Sequence, residues 1–418
     1  MNSLMRFKRD DKTLYPNRIL TKLREVAEVK GGVGFPAKYQ NEDTVEIPFF
    51  KVSDMNSEGN ERVLSSSNNY ISYDTLLKKL RYKAFNTPAI VFAKVGAALL
   101  LDRKRLCYKK FLIDNNMMAV IVDSKKINAE YMYYYLLTVN LASLSQVGAL
   151  PSINSKQVND LNVFLPCLEE QQKIAAFFSE LDRSIVICER KLFLLERVRE
   201  WATNYLLVST FKPNDSKLLR SNVFKKVTVN EISEFVTVGI ANAARHAYCG
   251  SEDGVPMLRN MNIKPNKLDD SDIVYVARDF ANGYKNKALR ENDIIVCRTG
   301  EPGTACLVPK KFEGAQTFTT LIIRLKEGFC PEYVCRYMNS LEAKKYIAST
   351  TIGGGQKNSG AGIIGGMPIV IPDIQTQKKI SYILQCFDEK VNVSLKRLEN
   401  LKRLKRSFMQ QMFVRKNS

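Results

Sequence analysis

The 418-residue sequence holds a single histidine, His246, and nine cysteines with no CxxC pair. Zinc centres are built from Cys and His at short spacings, so the chain offers none. The cysteines are scattered and odd in number, and even Cys330 and Cys335 read as reduced, buried thiols. No GxxxxGK[ST] loop is present to cradle nucleotide phosphates, and the glycine cluster at 353–355 lacks the Lys and helix behind it. The glycine-rich cofactor turn and the Asn/Asp-Pro-Pro-aromatic motif of an adenine methyltransferase are missing as well. No apolar run reaches the ~18 residues of a membrane span, and the first dozen residues lack the apolar centre of a signal peptide. A cytoplasmic location is expected. Carboxylates clustered for Mg²⁺ are also wanting. Asp182, Glu189 and Lys191 mimic an Asp…Glu-x-Lys nuclease pattern, but they fall on a helix where that chemistry needs paired strands. They read as a solvated helical face. His246 sits in a polar loop and reads as exposed or DNA-facing rather than catalytic. With neither a metal nor a cofactor site, the chain is expected not to be an enzyme.

Positive charge, in contrast, is plentiful. Sixty-three Lys and Arg stand against 43 Asp and Glu, a net +20. Such an excess points to a polyanion, most often nucleic acid. Residues 101–110, LDRKRLCYKK, are especially dense in cations and suit phosphate contact. Between Lys396 and Lys416 there are eight basic residues against one acid, Glu399. That segment could lie on a membrane, but its apolar residues fit a helical seam, so DNA or an acidic partner suits it better.

Neither Pro nor Gly interrupts the stretch that follows Pro166, up to Val208. Glu169 and Glu170 stand where a first helical turn favours negative charge. Leu181, Ile185, Cys188, Leu192, Leu195, Ala202 and Leu206 recur at steps of four and three, with Arg199 filling the gap. This is a heptad seam. The stretch occurs again after Pro372, with Gln171 matched by Gln377, Ile174 by Ile380 and Asp182 by Asp388, each 206 residues on. The second seam is Phe387, Val391, Ser394, Leu398, Leu401, Lys405, Phe408 and Met412. Its charged gap, Lys405, falls in the register of Arg199. Two long helices with matching seams predict an antiparallel intramolecular coiled coil.

The remainder of the chain repeats too. The segment 23–29 pairs with 229–235, 47–56 with 255–262, and 89–96 with 293–300, at offsets of 204 to 208. Runs such as AIVFAKVG and DIIVCRTG read as strands that enter a tight turn at a basic residue and a glycine. Helical pieces follow at 129–138 and 331–340, then glycine-bearing loops, then the strands that lead into the long helices. Small drifts in offset are what loop insertions in a duplicated domain produce. The fold class is therefore α+β, two tandem domains each followed by a long helix.

This order resembles the specificity subunit of type I restriction-modification systems. The likeness rests on two copies of Pro-x-x-x-x-Gln-x-x-Ile, namely Pro166, Gln171 and Ile174, then Pro372, Gln377 and Ile380. The segment EEQQKIAAFFSELD at 169–182 is close to that family's central region, whereas the second copy departs, with IQTQ for EEQQ. The resemblance implies a first target recognition domain at 1–164 and a spacer helix at 165–208. A linker at 209–219, a second recognition domain at 220–370 and a second spacer helix at 371–418 follow. It further implies a non-catalytic subunit that reads a bipartite, asymmetric double-stranded DNA site. Two methyltransferase subunits and two motor-nuclease subunits are the implied partners. S-adenosylmethionine, ATP and Mg²⁺ would sit on those partners, with no cofactor in this chain and no membrane partner.

Candidate DNA contacts lie where the duplicated scaffolds place loops. In the first domain they are Lys51, Lys94, Arg103, Lys104, Arg105, Ser152, Asn154 and Lys156. In the second they are Arg259, Asn260, Arg298, Gln356, Lys357 and Asn358. Lys51 with Arg259, and Lys94 with Arg298, stand out because basic character recurs at matched positions. Two other readings compete. One is a self-contained nuclease or methyltransferase on this scaffold; the other is a coiled-coil scaffold that binds no DNA.

Overall fold

A computed structural model describes residues 5–40, 44–145, 151–207, 224–241, 244–350 and 360–413. The linker expected at 209–219 lies outside the described residues. Four helices matter most to the candidate site: α1 (Ala129–Leu137), α2 (Leu168–Leu207), α3 (Pro331–Met338) and α4 (Ile374–Phe413). The chain forms two compact units. One holds Met1–Glu189 with Lys396–Ser418, the other Arg190–Leu395. The division falls inside α2 and α4, so each unit contains a globular part and a portion of both long helices.

In the first unit a four-stranded antiparallel sheet runs in the order Ala27–Gly31, Met117–Val122, Ala89–Ala93, Lys104–Cys107. The central strand Ala89–Ala93 is buried throughout, and its two faces feed different cores. Ile90 and Phe92 join Tyr131, Met132, Tyr134 and Leu136 of α1, together with Ile174 and Phe178 of α2 and Phe413 of α4. Ala89 and Val91 face Phe50, Met55, Phe85 and Phe111. The alternation is the period-two rule of a strand covered on both sides. A three-stranded sheet, Tyr70–Ile71, Ile47–Phe50, Leu112–Ile113, supports that second core.

The second unit repeats the four-stranded order with Ser233–Val238, Leu321–Leu325, Ile294–Val296 and Ala305–Leu307. Its companion sheet orders Tyr248–Cys249, Val274–Ala277, Gly254–Arg259 and Gln316–Phe318. A two-stranded pair introduces each long helix. Ile19–Lys22 pairs with Asn162–Leu165, and Lys225–Thr228 with Pro368–Ile371. Every bound of the second pair is the first shifted by 206.

The long helices pair antiparallel. In the first unit Phe177 of α2 meets Phe408 of α4 with ring centroids 5.2 Å apart. Lys405 Nζ reaches Asp182 at 2.5 Å and Lys402 Nζ reaches Glu189 at 2.7 Å, so partners descend α4 as they ascend α2. In the second unit Arg199 pairs with Asp388 at 3.4 Å. Along α2, Ile185, Cys188, Leu192 and Ala202 are buried, and Leu181 and Leu195 half-buried. Along α4, Val391, Ser394 and Met412 are buried, and Phe387, Leu398, Leu401 and Phe408 half-buried. The charged gaps sit in this row as well, half-buried, their stems packed and their heads paired across the helices. The charges of the C-terminal segment are thus partly spent inside the helix pair.

Candidate nucleic-acid interface and its mounting

Each long helix is tied to its globular domain by the duplicated glutamine. Pro166 ends the preceding strand, and the Gln171 side chain folds back across the first helical turn. Its Nε2 donates to the Pro166 carbonyl at 2.8 Å, and its Oε1 accepts the backbone N–H of Asn128 at 2.8 Å. Asn128 is the N-cap of α1. Gln377 repeats the arrangement, donating to Pro372 at 2.7 Å and accepting from Cys330, the N-cap of α3, at 2.9 Å. Both glutamines are about 1% exposed, and each uses both its amide nitrogen and its amide oxygen. The motif Pro-x-x-x-x-Gln therefore fastens helix to domain, and Ile174 and Ile380 are buried one turn further on.

The start of α2 carries a second fastening, at Glu170. Glu170 is fully buried and takes Arg6 Nη2 at 2.6 Å and Arg18 Nη2 at 3.0 Å. Arg18 Nη1 also donates to the Met412 carbonyl at the end of α4, 2.5 Å away. A cation at a helix C-terminus meets the negative end of its dipole. The segment 5–18, which carries no strand or helix pattern in sequence, is thus a structural strap. At the corresponding place in the repeat, Thr376 bonds Asp373, the N-cap of α4, at 2.6 Å.

Glu189 and Lys191 are exposed, as on a solvated helical face, whereas Asp182 is half-buried. Asp182 accepts the Tyr134 hydroxyl at 2.8 Å and pairs with Lys405, while Glu189 pairs with Lys402. Burial, and then the Asp182 carboxylate, push the Tyr134 phenol far above its usual range, so it remains a proton donor. No group of three His, Cys, Asp or Glu suited to a metal ion occurs among the described residues. His246 is exposed, its ring edge-on to Phe280.

The candidate contacts fall into local groups. Lys51 ends the strand Ile47–Phe50. Its backbone N–H is held by the buried Asp54 at 2.7 Å, and its ammonium rests on Gln40 Oε1 at 2.6 Å. The repeat copies the backbone device and changes the side-chain partner. Arg259 N–H donates to the buried Asn262 at 2.9 Å, and the guanidinium pairs with Asp272 at 2.8 Å. Lys94 follows the strand Ala89–Ala93 and is bridged to the next segment, its carbonyl accepting Ile153 N–H at 3.0 Å. This brings Ser152 and Asn154 beside it. Ser152, Asn154 and Lys156 are exposed, although Asn154 Oδ1 also caps Gln157 N–H at 3.0 Å. Arg103 bonds Asn56, and Arg105 bonds the Met55 carbonyl at 3.1 Å, so both lean on the turn after Lys51.

In the second unit Asn260 binds the Arg298 turn. Its Oδ1 accepts Arg298 N–H at 3.0 Å and its Nδ2 donates to Thr299 at 3.0 Å. That engagement suits a residue that shapes the turn. The glycines after the basic residues have positive φ, 68° at Gly96 and 80° at Gly300, as a tight turn requires. Gln356, Lys357 and Asn358 lie outside the described residues.

Lys104 is a correction. It stands opposite Phe92 in the sheet, on the face covered by α1. Its side chain is buried, with Nζ on the Val139 carbonyl at 2.8 Å and on Asp102 at 2.6 Å. Burial lowers its pKa against the pull of Asp102. An ammonium enclosed in this way has nothing to offer a phosphate.

Several residues near these groups are not singled out by the sequence patterns above. Gln40 and Asp272, the partners of the matched cations, lie in loops with no repeat signal. Gly32 and Gly239 carry one, being 207 apart. A Cβ on Gly32 would meet the Asp114 carbonyl oxygen at 1.7 Å, and one on Gly239 the Thr317 carbonyl oxygen at 2.4 Å. Both mark a close backbone approach at the edge of the repeated sheet.

Two tandem α+β domains carried on paired antiparallel helices define a class of DNA specificity protein. The family model for the type I restriction modification DNA specificity domain matches residues 20–197 and again 224–403. The chain belongs to that family: it is a type I specificity subunit, the component of such systems without catalytic activity of its own. The MjaVIII type I specificity subunit of Methanocaldococcus jannaschii is 21% identical over 319 residues, covering 72% of this chain and 73% of that protein. The MjaIX specificity subunit of the same organism is 23% identical over 311 residues, covering 70% and 69%. In fold, the chain is similar to the type I restriction-modification S subunit from M. genitalium, with a TM-score of 0.60 at 13% identity and both chains fully covered. No helix among the described residues is long and apolar enough to cross a membrane.

Proposed function

We propose that the chain reads a bipartite, asymmetric site on double-stranded DNA, one half per recognition domain. The helix pair sets the separation of the halves and docks the catalytic subunits. The observation that carries this reading is a scaffold built twice with different chemistry at matched loops. Lys51 leans on Gln40 where Arg259 pairs with Asp272, and Lys94 is followed by Val95 where Arg298 is followed by Thr299. Equal mounts with unlike side chains imply unlike half-sites. Lys51, Lys94, Arg103, Arg105, Ser152, Asn154 and Lys156 form the proposed surface of the first domain. Arg259, Asn260, Arg298, Gln356, Lys357 and Asn358 are the contacts proposed for the second. The basic excess attracts phosphates regardless of sequence, and base edges supply the choice.

Two methyltransferase subunits are the proposed catalytic partners, with two motor-nuclease subunits added in the restriction form. S-adenosylmethionine, ATP and Mg²⁺ belong to those partners, where the target adenine is flipped and methylated. The test is to map methylated adenines in the host genome with and without this gene. The reading requires an interrupted, asymmetric motif that vanishes on deletion. Methylation by the purified chain alone would overturn it in favour of an enzyme.

A further inference from the structure

Two aspartates, 206 residues apart, are each gripped from two further helices. Asp182 of α2 accepts the Tyr134 hydroxyl of α1 at 2.8 Å and pairs with Lys405 of α4 at 2.5 Å. Asp388 of α4 accepts Arg336 Nη1 of α3 at 2.7 Å and pairs with Arg199 of α2 at 3.4 Å. The partners correspond. Tyr134 and Arg336 each stand six residues after the N-cap residue held by the duplicated glutamine. Lys405 and Arg199 are the charged gaps of the two seams.

Each recognition domain is therefore pinned to its own long helix twice, by Gln171 and Asp182 in one half and by Gln377 and Asp388 in the other. The two pins are eleven residues apart, which is about 16 Å along a helix. One pin allows a domain helix to swing, whereas two fix its direction. The same aspartates also bind the opposing long helix. A slide of one residue there moves the partners by ~1.5 Å and strains both ion pairs.

We infer that Asp182 and Asp388 are positioning residues for DNA recognition. Each sets the angle at which its domain is carried, and together they restrict the spacer the protein accepts. The inference rests on the bipartite reading proposed for the function. A base pair adds about 3.4 Å and roughly 35° of rotation to a duplex, so a modest swing of one domain is enough to admit a neighbouring spacer. The two junctions differ in reinforcement. Arg62 Nε lies 3.8 Å from Asp182 and adds a second cation beside Lys405 and Tyr134 there, while Asp388 is gripped by Arg336 and Arg199.

The test uses the full chain assembled with its methyltransferase subunits. Initial methylation rates are measured on duplexes with the native spacer and with one base pair more or fewer. Asp182→Asn and Asp388→Asn each lower the preference for the native spacer about tenfold, some 1.4 kcal/mol of discrimination, with little change in rate on the native site. Asp388→Glu retains the charge and restores most of the preference. Glu389→Gln, on the exposed side of the same helix, leaves it unchanged. If Asp182→Asn does not assemble, Tyr134→Phe removes a single hydroxyl from the same junction and reports in its place. An unchanged spacer preference in Asp388→Asn and Tyr134→Phe overturns the inference and leaves the bipartite reading intact. A wild-type complex indifferent to spacer overturns both.

Discussion

The Gln171 side-chain oxygen accepts the backbone N–H of Asn128 at 2.8 Å, and Gln377 does the same for Cys330 at 2.9 Å. Alanine at either glutamine leaves a buried N–H and a buried proline carbonyl without partners. Orphaned groups of this kind cost ~1–3 kcal/mol each, so a total loss of about 2–6 kcal/mol is expected. Gln171→Glu is also destabilising, because a carboxylate cannot donate to the Pro166 carbonyl. Gln375→Ala, on the exposed face of α4, changes stability by less than ~0.5 kcal/mol. Urea denaturation of the four variants checks the set.

Glu170 is enclosed by Arg6 and Arg18. Glu170→Ala strands two guanidiniums, of which the Arg18 side chain is only 6% exposed. Removing one partner of a buried ion cluster costs ~3–5 kcal/mol. The first unit loses this stability and the second does not, since Thr376 occupies the equivalent place. Hydrogen exchange resolved by peptide distinguishes the two: faster exchange confined to the first unit is expected, and uniform exchange contradicts the strap.

The proposed DNA surface separates lysines by burial. Lys94→Ala and Arg298→Ala each weaken binding across all sequences and reduce the slope of log affinity against log salt by roughly 1, the share of one phosphate contact. Lys104→Met leaves that slope unchanged, because its ammonium is bound to Val139 and Asp102. Salt titrations of the assembled complex on duplex DNA read all three. A reduced slope for Lys104→Met contradicts the assignment.

Burial raises the thiols of Cys107 and Cys335 to about 12 and that of Cys297 to about 11. The thiolate is the reactive form, so these cysteines remain protonated and inert across the neutral range. Cys167, Cys249 and Cys386 are half-buried and are expected to alkylate first. Mass spectrometry after brief iodoacetamide treatment at pH 8 gives the order.

Much of the framework is legible because duplication leaves a numerical trace. The offset of 206 carries the strand pairs, the two glutamine clasps and the seam that pairs the helices. What sequence does not reveal is who meets whom across long separations. Glu170 reads as an acid suited to a helix dipole, and no periodicity links it to Arg6 or Arg18. Asp182 reads as a surface charge until α1 brings Tyr134 to it. Lys104 sits in a cation-rich stretch and reads like its neighbours. Period two in its strand puts it on the Leu106 side, where the sheet meets α1, and its long stem lets the charge reach Val139.

The central claim is that two unlike recognition domains each choose half of one DNA site. The direct measurement is the methylation motif of a chain in which residues 20–146 are replaced by those of another specificity subunit. The account predicts a motif with one half altered, the other half retained and the spacer unchanged. Alteration of both halves, or of neither, would contradict it.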